Sequence, residues 1–292
     1  MARLSPLILI PAALSGCAAD SPQSRAEVSI PDPAIAAIVQ AVDTAQPAYL
    51  LINEDHDVDW HRHVSACLLD AVAATRDVVF AAEAFPTSSP LAQAERASSG
   101  GYTRSHYFQD IWRVLDHHQI AAFGYDARRA DHLTDDGLAQ RGLSARLPNR
   151  RDRVAAERLE VLRRQRQAEL IMVHAGHAHV SERWGETEDG AHGWLAAHLA
   201  QLSSRDPVTV YQMPPQTARW YHERSIFIID HAACAALPEA AVLLRTGEGI
   251  IGCAERARLQ PTQDADFIIL DDVNRGETAR DRPALCDIPQ RR

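Results

Sequence analysis

Lysine is missing from this chain: all 30 basic residues among its 292 are arginine. Schiff-base catalysis, a lysine-bound pyridoxal cofactor and the lysine of phosphate-binding loops are therefore excluded. The serine-hydrolase elbow G-x-S-x-G and the zinc motif H-E-x-x-H are also missing. Gly247-Glu248-Gly249-Ile250-Ile251-Gly252 has the spacing of a dinucleotide fingerprint. It does not sit between an early strand and a helix, so it is discounted. Cysteine is scarce, with five residues and no C-x-x-C pair, which argues against a thiolate zinc site or a dithiol redox motif. There is no basic excess either. A formal net charge of −9 disfavours nonspecific nucleic-acid binding.

What is present begins with a leader. Residues 1–16 carry one positive charge (Arg3) and an apolar stretch from Leu7 to Leu14, too short to span a bilayer. Leu14-Ser15-Gly16-Cys17 follows and fits the bacterial lipoprotein signal, in which Cys17 is acylated and becomes the mature N-terminus. Ala18 is not the aspartate that retains such proteins in the inner membrane. The expectation is a lipid-anchored protein of the outer membrane or the periplasmic side of the envelope. In that oxidising setting a bridge among Cys234, Cys253 and Cys286 is plausible. Cys67, on the apolar face of a helix pattern, reads as a buried free thiol.

With 46% hydrophobic residues the chain can build one large core. Residues 17–32 read as a polar tether and 33–214 as the core domain. Residues 215–273 carry short strand patterns that extend the core or form a small layer on it, and 274–292 are a polar, weakly ordered tail. Within the core, strand patterns (48–53, 77–83, 120–125, 169–174, 207–212) alternate with helix patterns (59–75, 88–98, 105–118, 150–167, 189–202) after a first helix at 33–45. The fold class is therefore α/β, a mainly parallel sheet covered by helices, with a loop-rich C-terminal extension.

Chemistry gathers at the ends of those strands. Asn53-Glu54-Asp55-His56 follows one apolar run and His174-Ala175-Gly176-His177-Ala178-His179 another. A third run stops at Glu83, and a fourth at Tyr125-Asp126. Open α/β sheets place their ligand crevice outside the carboxyl ends of the strands, so four such ends point to one site. Glu54 and His56 suit either proton transfer, with the carboxylate orienting the imidazole, or metal ligation. His61 and His63 flank them, and Glu83 adds a second carboxylate.

Ile52-Asn53-Glu54-Asp55-His56-Asp57, Ala82-Glu83-Ala84-Phe85 and the 174–179 run resemble the core motifs of the erythromycin-esterase-like and ChaN-like superfamily, more distantly similar to the Tiki and TraB proteins. The resemblance covers roughly residues 46–182. It departs at Asn53, where the family usually has glycine, and beyond Pro214. In the esterase branch it implies that His56 acts as general base on water, assisted by Glu54 and Glu83. His177 would stabilise charge on the substrate carbonyl. The family's arginine would come from Arg150, Arg151 or Arg153, with Arg153 favoured. Tyr125, Asp126, His174 and His179 would line the binding pocket. In the ChaN branch the same pocket would bind haem through a residue such as Tyr102, Tyr107, Tyr125 or a histidine. If a divalent metal is held instead, His56, Glu83 and His177 are its expected ligands. The function expected is hydrolysis of an ester, lactone or amide, with haem or iron binding as the alternative. The partner is accordingly a small-molecule substrate or haem.

Overall fold

The computed structural model describes residues 33–56, 58–87, 101–126, 146–176, 179–182, 184–187, 190–213, 240–245, 251–255, 265–270, 286 and 288. The leader with Cys17, the tether, His177 and Cys234 lie outside these residues, as does the helix expected at 88–98. Among the described residues no helix is long and apolar enough to cross a membrane.

A single eight-stranded sheet organises the molecule. Its first strand, β1 (Tyr49–Glu54), is buried along its whole length, as an uninterrupted apolar run should be when helices cover both faces of a parallel sheet. It pairs in parallel with β4 (Leu170–Gly176) on one side and β7 (Val208–Met213) on the other. Beyond β4 come β2 (Val78–Thr87) and β3 (Ala122–Gly124), both parallel. Beyond β7 come β10 (Phe267–Leu270) and β8 (Ala240–Arg245), again parallel, and then the antiparallel edge strand β9 (Ile251–Glu255). The order is β3-β2-β4-β1-β7-β10-β8-β9. Strands β8, β9 and β10 thus lie in the same sheet, while the strand expected at 225–230 lies outside the described residues.

The covering helices are α1 (Pro33–Ala45), α2 (Asp59–Ala73), α3 (His106–His117), α4 (Arg146–Arg166) and α5 (Leu195–Ser203). The Ser105 hydroxyl caps α3 by accepting from the Phe108 N–H. Two elements depart from expectation. The segment read as the start of a helix at 189 is the second arm of a hairpin, β5 (Trp184–Thr187) and β6 (Gly190–Gly193), so α5 begins six residues later. Strand β9 begins at Ile251, where the Gly-rich 247–252 stretch ends and glycine hides strand propensity.

Helix α2 is unusual because every residue from Trp60 to Leu69 is buried. A helix covered all round normally reads as apolar all round. This one carries His61, Arg62, His63 and Ser65, and each has a partner, because buried polar groups cost free energy unless bonded. His61 Nδ1 accepts from the Asp55 N–H (2.9 Å), and Ser65 donates to the His61 carbonyl (2.8 Å). The first of these bonds ties the turn after β1 to the helix, and the second lies within the helix.

The cysteine expectations need correction. Cys67 is not a free thiol and the bridge is not confined to the C-terminal cysteines: Cys67 on α2 is disulfide-bonded to Cys286, 219 residues later. The bridge ties down part of the expected weakly ordered tail, and Ile288 is buried beside it in the core. A pairing across that separation has no local signature, so sequence could not choose it.

Candidate functional site

Register brings the strand ends to one edge. Ile52 pairs with His174, and Glu54 with Gly176. Ala82 pairs with both His174 and Gly124. Parallel strands in this register present Glu54, Glu83, Tyr125 and His174 at the same side of the sheet, the carboxyl edge where doubly wound folds bind ligands.

The centre is a buried carboxylate with three basic neighbours. Glu54 Oε1 accepts from His56 Nδ1 at 2.8 Å, and Glu54 Oε2 accepts from Arg62 Nε at 2.7 Å. His174 Nε2 lies 3.7 Å from Oε2. Arg62 also donates through Nη2 to the His56 carbonyl (2.7 Å) and through Nη1 to Ser105 Oγ (3.3 Å), clamping the β1–α2 turn. Burial pushes the Glu54 carboxyl up, but His174, His56 and Arg62 together reverse that and hold it at about 2. His56 is different in kind. Its side chain is 51% exposed, and the hydrogen bond to Glu54 raises its pKa above the ordinary histidine value. Glu83 is near enough that its charge acts in the same direction. His174 is fully buried, which lowers its pKa toward the neutral imidazole.

Glu83 forms the second group. Its Oε2 accepts from the Gly176 N–H at 2.8 Å, and its Oε1 pairs with Arg151 Nη2. Arg151 Nε bonds Asp126 Oδ1 at 2.7 Å, so one guanidinium bridges two strand ends. His179 Nε2 stands 3.9 Å from Glu83, while its Nδ1 meets Asp152 at 2.7 Å. Burial opposes ionisation of Glu83, yet His179, Arg151 and the Gly176 amide keep its pKa low. His179 is pulled up by Asp152 and Glu83 against its own burial. Among the described residues, Glu54 and Glu83 are thus each paired with an arginine, and the His56 imidazole is half exposed.

Gly176 is required by close approach. A Cβ there would stand 2.9 Å from Glu83 Oε2, and Glu83 cannot swing away without leaving Arg151. Gly176→Ala is expected to displace Glu83 and reduce ligand binding or turnover about tenfold, with a melting temperature within a few degrees of wild type. Parallel activity and thermal-melt measurements check this; an unchanged activity would mean that the Glu83 carboxylate is not used.

Two of the sequence-derived placements change. Arg153 is exposed and its nearest acidic partner is Glu157 at 3.8 Å on its own helix. Arg151 faces the crevice instead, because two residues along a helix turn the side chain by about 200° to the opposite side. Tyr125 lines the wall but is fully buried, and its hydroxyl donates to the His174 carbonyl (3.3 Å); burial raises its pKa well above the ordinary phenol. It is therefore not an open ligand. Asp126, His174 and His179 stand at the crevice, whereas His63 faces away toward α3, and His177 lies outside the described residues. The expected metal set of His56, Glu83 and His177 therefore includes a residue outside the described ones.

Arg62, Asp152 and Ser105 were not singled out from sequence. Arg62 gave no signal by itself, since a charge on a helix reads as solvent-facing until tertiary packing covers it. Asn53, the departure from the family's glycine, is explained by its partner across β7. Its Nδ2 donates to the Gln212 carbonyl (3.1 Å), its Oδ1 accepts from the Gln212 N–H, and its carbonyl accepts from Gln212 Nε2. The side chain thus extends the β1–β7 ladder past the last backbone pair, Ile52 with Val210.

No protein-family profile matches the sequence, and no curated protein matches it. Solved structures do. ChaN of Campylobacter jejuni, described with cofacial haem binding, is 10% identical over 60% of this chain and 85% of its own, with a TM-score of 0.43. The type III effector HopBA1 is 16% identical over 61% and 82%, with a TM-score of 0.38. RRSP, a MARTX toxin effector domain from Vibrio vulnificus CMCP6, is 16% identical over 57% of this chain but 36% of its own, with a TM-score of 0.36. None of these likenesses transfers a residue role to this chain.

Proposed function

We propose that the crevice is a hydrolytic site in which His56 takes a proton from water attacking an ester, lactone or amide carbonyl. The observation that carries this reading is the 2.8 Å bond from the half-exposed His56 to the buried Glu54. An ionised carboxylate only accepts, so in the neutral ring His56 Nδ1 carries the proton and Nε2 is the basic nitrogen. Glu54 fixes the ring and stabilises the imidazolium formed when the proton arrives, while Arg62 keeps Glu54 ionised. Arg151, held between Glu83 and Asp126, offers positive charge for the developing oxyanion. His177, which the family resemblance assigns to the same task and which follows β4 directly in sequence, would assist it. We further place the protein in the cell envelope, anchored through lipidated Cys17, on the strength of the leader sequence.

The test is a panel of activated esters, lactones and amides with purified protein. Wild type is expected to turn over at least one class, and Glu83→Gln to lose about 100-fold in kcat/KM, since the neutral amide releases Arg151 from its charge partner. No hydrolysis anywhere on the panel sinks the reading.

Haem binding is the second reading, favoured by one specific feature. A solvent-facing imidazole whose other nitrogen bonds a carboxylate is also the arrangement of a metal-ligating histidine. His56 would hold the haem iron; the buried Tyr125 would not. A saturating Soret shift on haemin titration that His56→Ala removes would favour this reading over hydrolysis.

A further inference from the structure

A second cluster lies where α2 packs against α3, and the hydrolytic reading has no use for it. His63 and Cys67 are one turn apart on the same face of the helix, and the disulfide brings Cys286 to them. The ligand atoms of His63, Cys67 and Cys286 all lie within 4.8 Å of one another. His63 Nε2 is 3.7 Å from Cys67 Sγ. Its other nitrogen, Nδ1, donates to Asp110 Oδ2 on α3 at 2.9 Å, and Arg113 holds the opposite Asp110 oxygen at 2.6 Å. Trp60 and Tyr107 pack against the imidazole with ring centroids 4.6 and 5.6 Å away. His63, Cys67 and Asp110 are buried, and Cys286 is partly exposed.

We propose that His63, Cys67 and Cys286 form a redox-gated site for a thiolate-binding d10 cation of the Zn2+ type, closed as the disulfide and opened by a dithiol reductant. The geometry is that of a zinc site with its sulfurs joined. Zn–S bonds of about 2.3 Å and Zn–N bonds of about 2.0–2.1 Å put the N···S edge of a tetrahedron at about 3.6 Å and the S···S edge at about 3.8 Å. The imidazole already stands at the first of these separations. The second needs only side-chain rotation once the bridge is broken. Asp110 supplies the carboxylate–histidine pairing that orients metal-binding imidazoles and puts the proton on Nδ1, so that Nε2 carries the lone pair beside Cys67 Sγ. Partial exposure of Cys286 leaves the fourth position to water.

The redox step balances. A dithiol gives two electrons and two protons to the Cys67–Cys286 bond, becoming a disulfide itself, and leaves two cysteine thiols. Zn2+ then displaces both thiol protons to solvent and changes no oxidation state. Reoxidation by a disulfide-class oxidant re-forms the bridge and expels the ion.

The experiment compares Zn2+ binding by the full chain, oxidised and after reduction, by competition with a chromogenic chelator. Co2+ serves as a spectroscopic stand-in, read by its thiolate charge-transfer and tetrahedral d–d bands. The reduced chain is expected to bind one ion per molecule at least 100-fold more tightly than the oxidised chain. His63→Gln retains the disulfide and should weaken binding by the reduced chain at least tenfold, and Asp110→Asn by about 10–100-fold. Cys286→Ser is compared with reduced wild type, which also lacks the bridge, so loss of the disulfide cannot account for its loss of metal. Equal affinity in the two redox states, or undiminished affinity in either His63→Gln or Cys286→Ser, overturns the proposal. Circular dichroism of each variant confirms folding, and were His63→Gln to unfold, Cys286→Ser decides alone.

Discussion

Arg62→Met is expected to cost about 3–5 kcal/mol of stability, read as a drop in the urea midpoint. Arg62 is the largest fully buried side chain among the described residues, and it ties Glu54, the His56 carbonyl and Ser105 together. Methionine fills similar space but leaves the Glu54 carboxylate buried without its guanidinium, and an uncompensated buried charge is among the few mechanisms that destabilise this strongly. The pH dependence identifies the cause. In the wild type, Glu54 binds its proton less tightly folded, at about 2, than unfolded, near 4.5. Its contribution is therefore complete above about pH 4.5 and is lost as pH falls toward 2. With Arg62 gone the folded pKa rises, and the variant should show a shallower acid decline from an already lower plateau. A variant as stable as wild type would mean that Glu54 sits protonated and the ion pair is not what holds the turn.

His56→Ala should lower hydrolytic turnover by about 10²–10⁴-fold, the usual range for a lost general base, while changing stability by about 1 kcal/mol or less. The contrast with Arg62 follows from exposure: half of the His56 side chain is in water, so its removal opens no cavity. The wild-type rate should rise with pH through an apparent pKa above 6.5, because Glu54 raises His56 and only the unprotonated ring accepts a proton. Glu54→Gln should move that limb to lower pH as well as reduce the rate, a displacement that simple loss of structure would not give. The stability linkage runs the other way. The folded chain holds the His56 proton more tightly, so this pairing stabilises fully below about pH 6.5 and fades as pH rises through the folded value. Persistent turnover in His56→Ala would move the base elsewhere, with His179 the next candidate.

Both predictions concern residues separated by a few positions in sequence, yet only one of them was legible there. His56 follows an apolar strand at a spacing that puts it with Glu54 on one side of an extended chain, and residue chemistry plus strand context is sufficient to notice it. Arg62 is hidden because burial of a helix on all sides depends on what α1, α3 and the sheet bring to it. The choice between Arg151 and Arg153 failed for a related reason. Helical periodicity says that they face opposite ways but not which way is inward. That was decided by the packing of α4 over the strand ends that carry Glu83 and Asp126.

The sequence by itself determined the parallel α/β class and the position of β1, β2 and β4. It also determined that ionisable residues stand at their carboxyl ends, since those follow from local apolar runs and turn chemistry. The tertiary structure alone decided the partners. Register set Glu54 against Gly176 and Ala82 against His174, which is what joins four strand ends into one crevice. Chain return over 219 residues brought Cys286 to Cys67 and His63. A long-range contact has no local energy term for sequence to report. It exists only once the core has placed both ends.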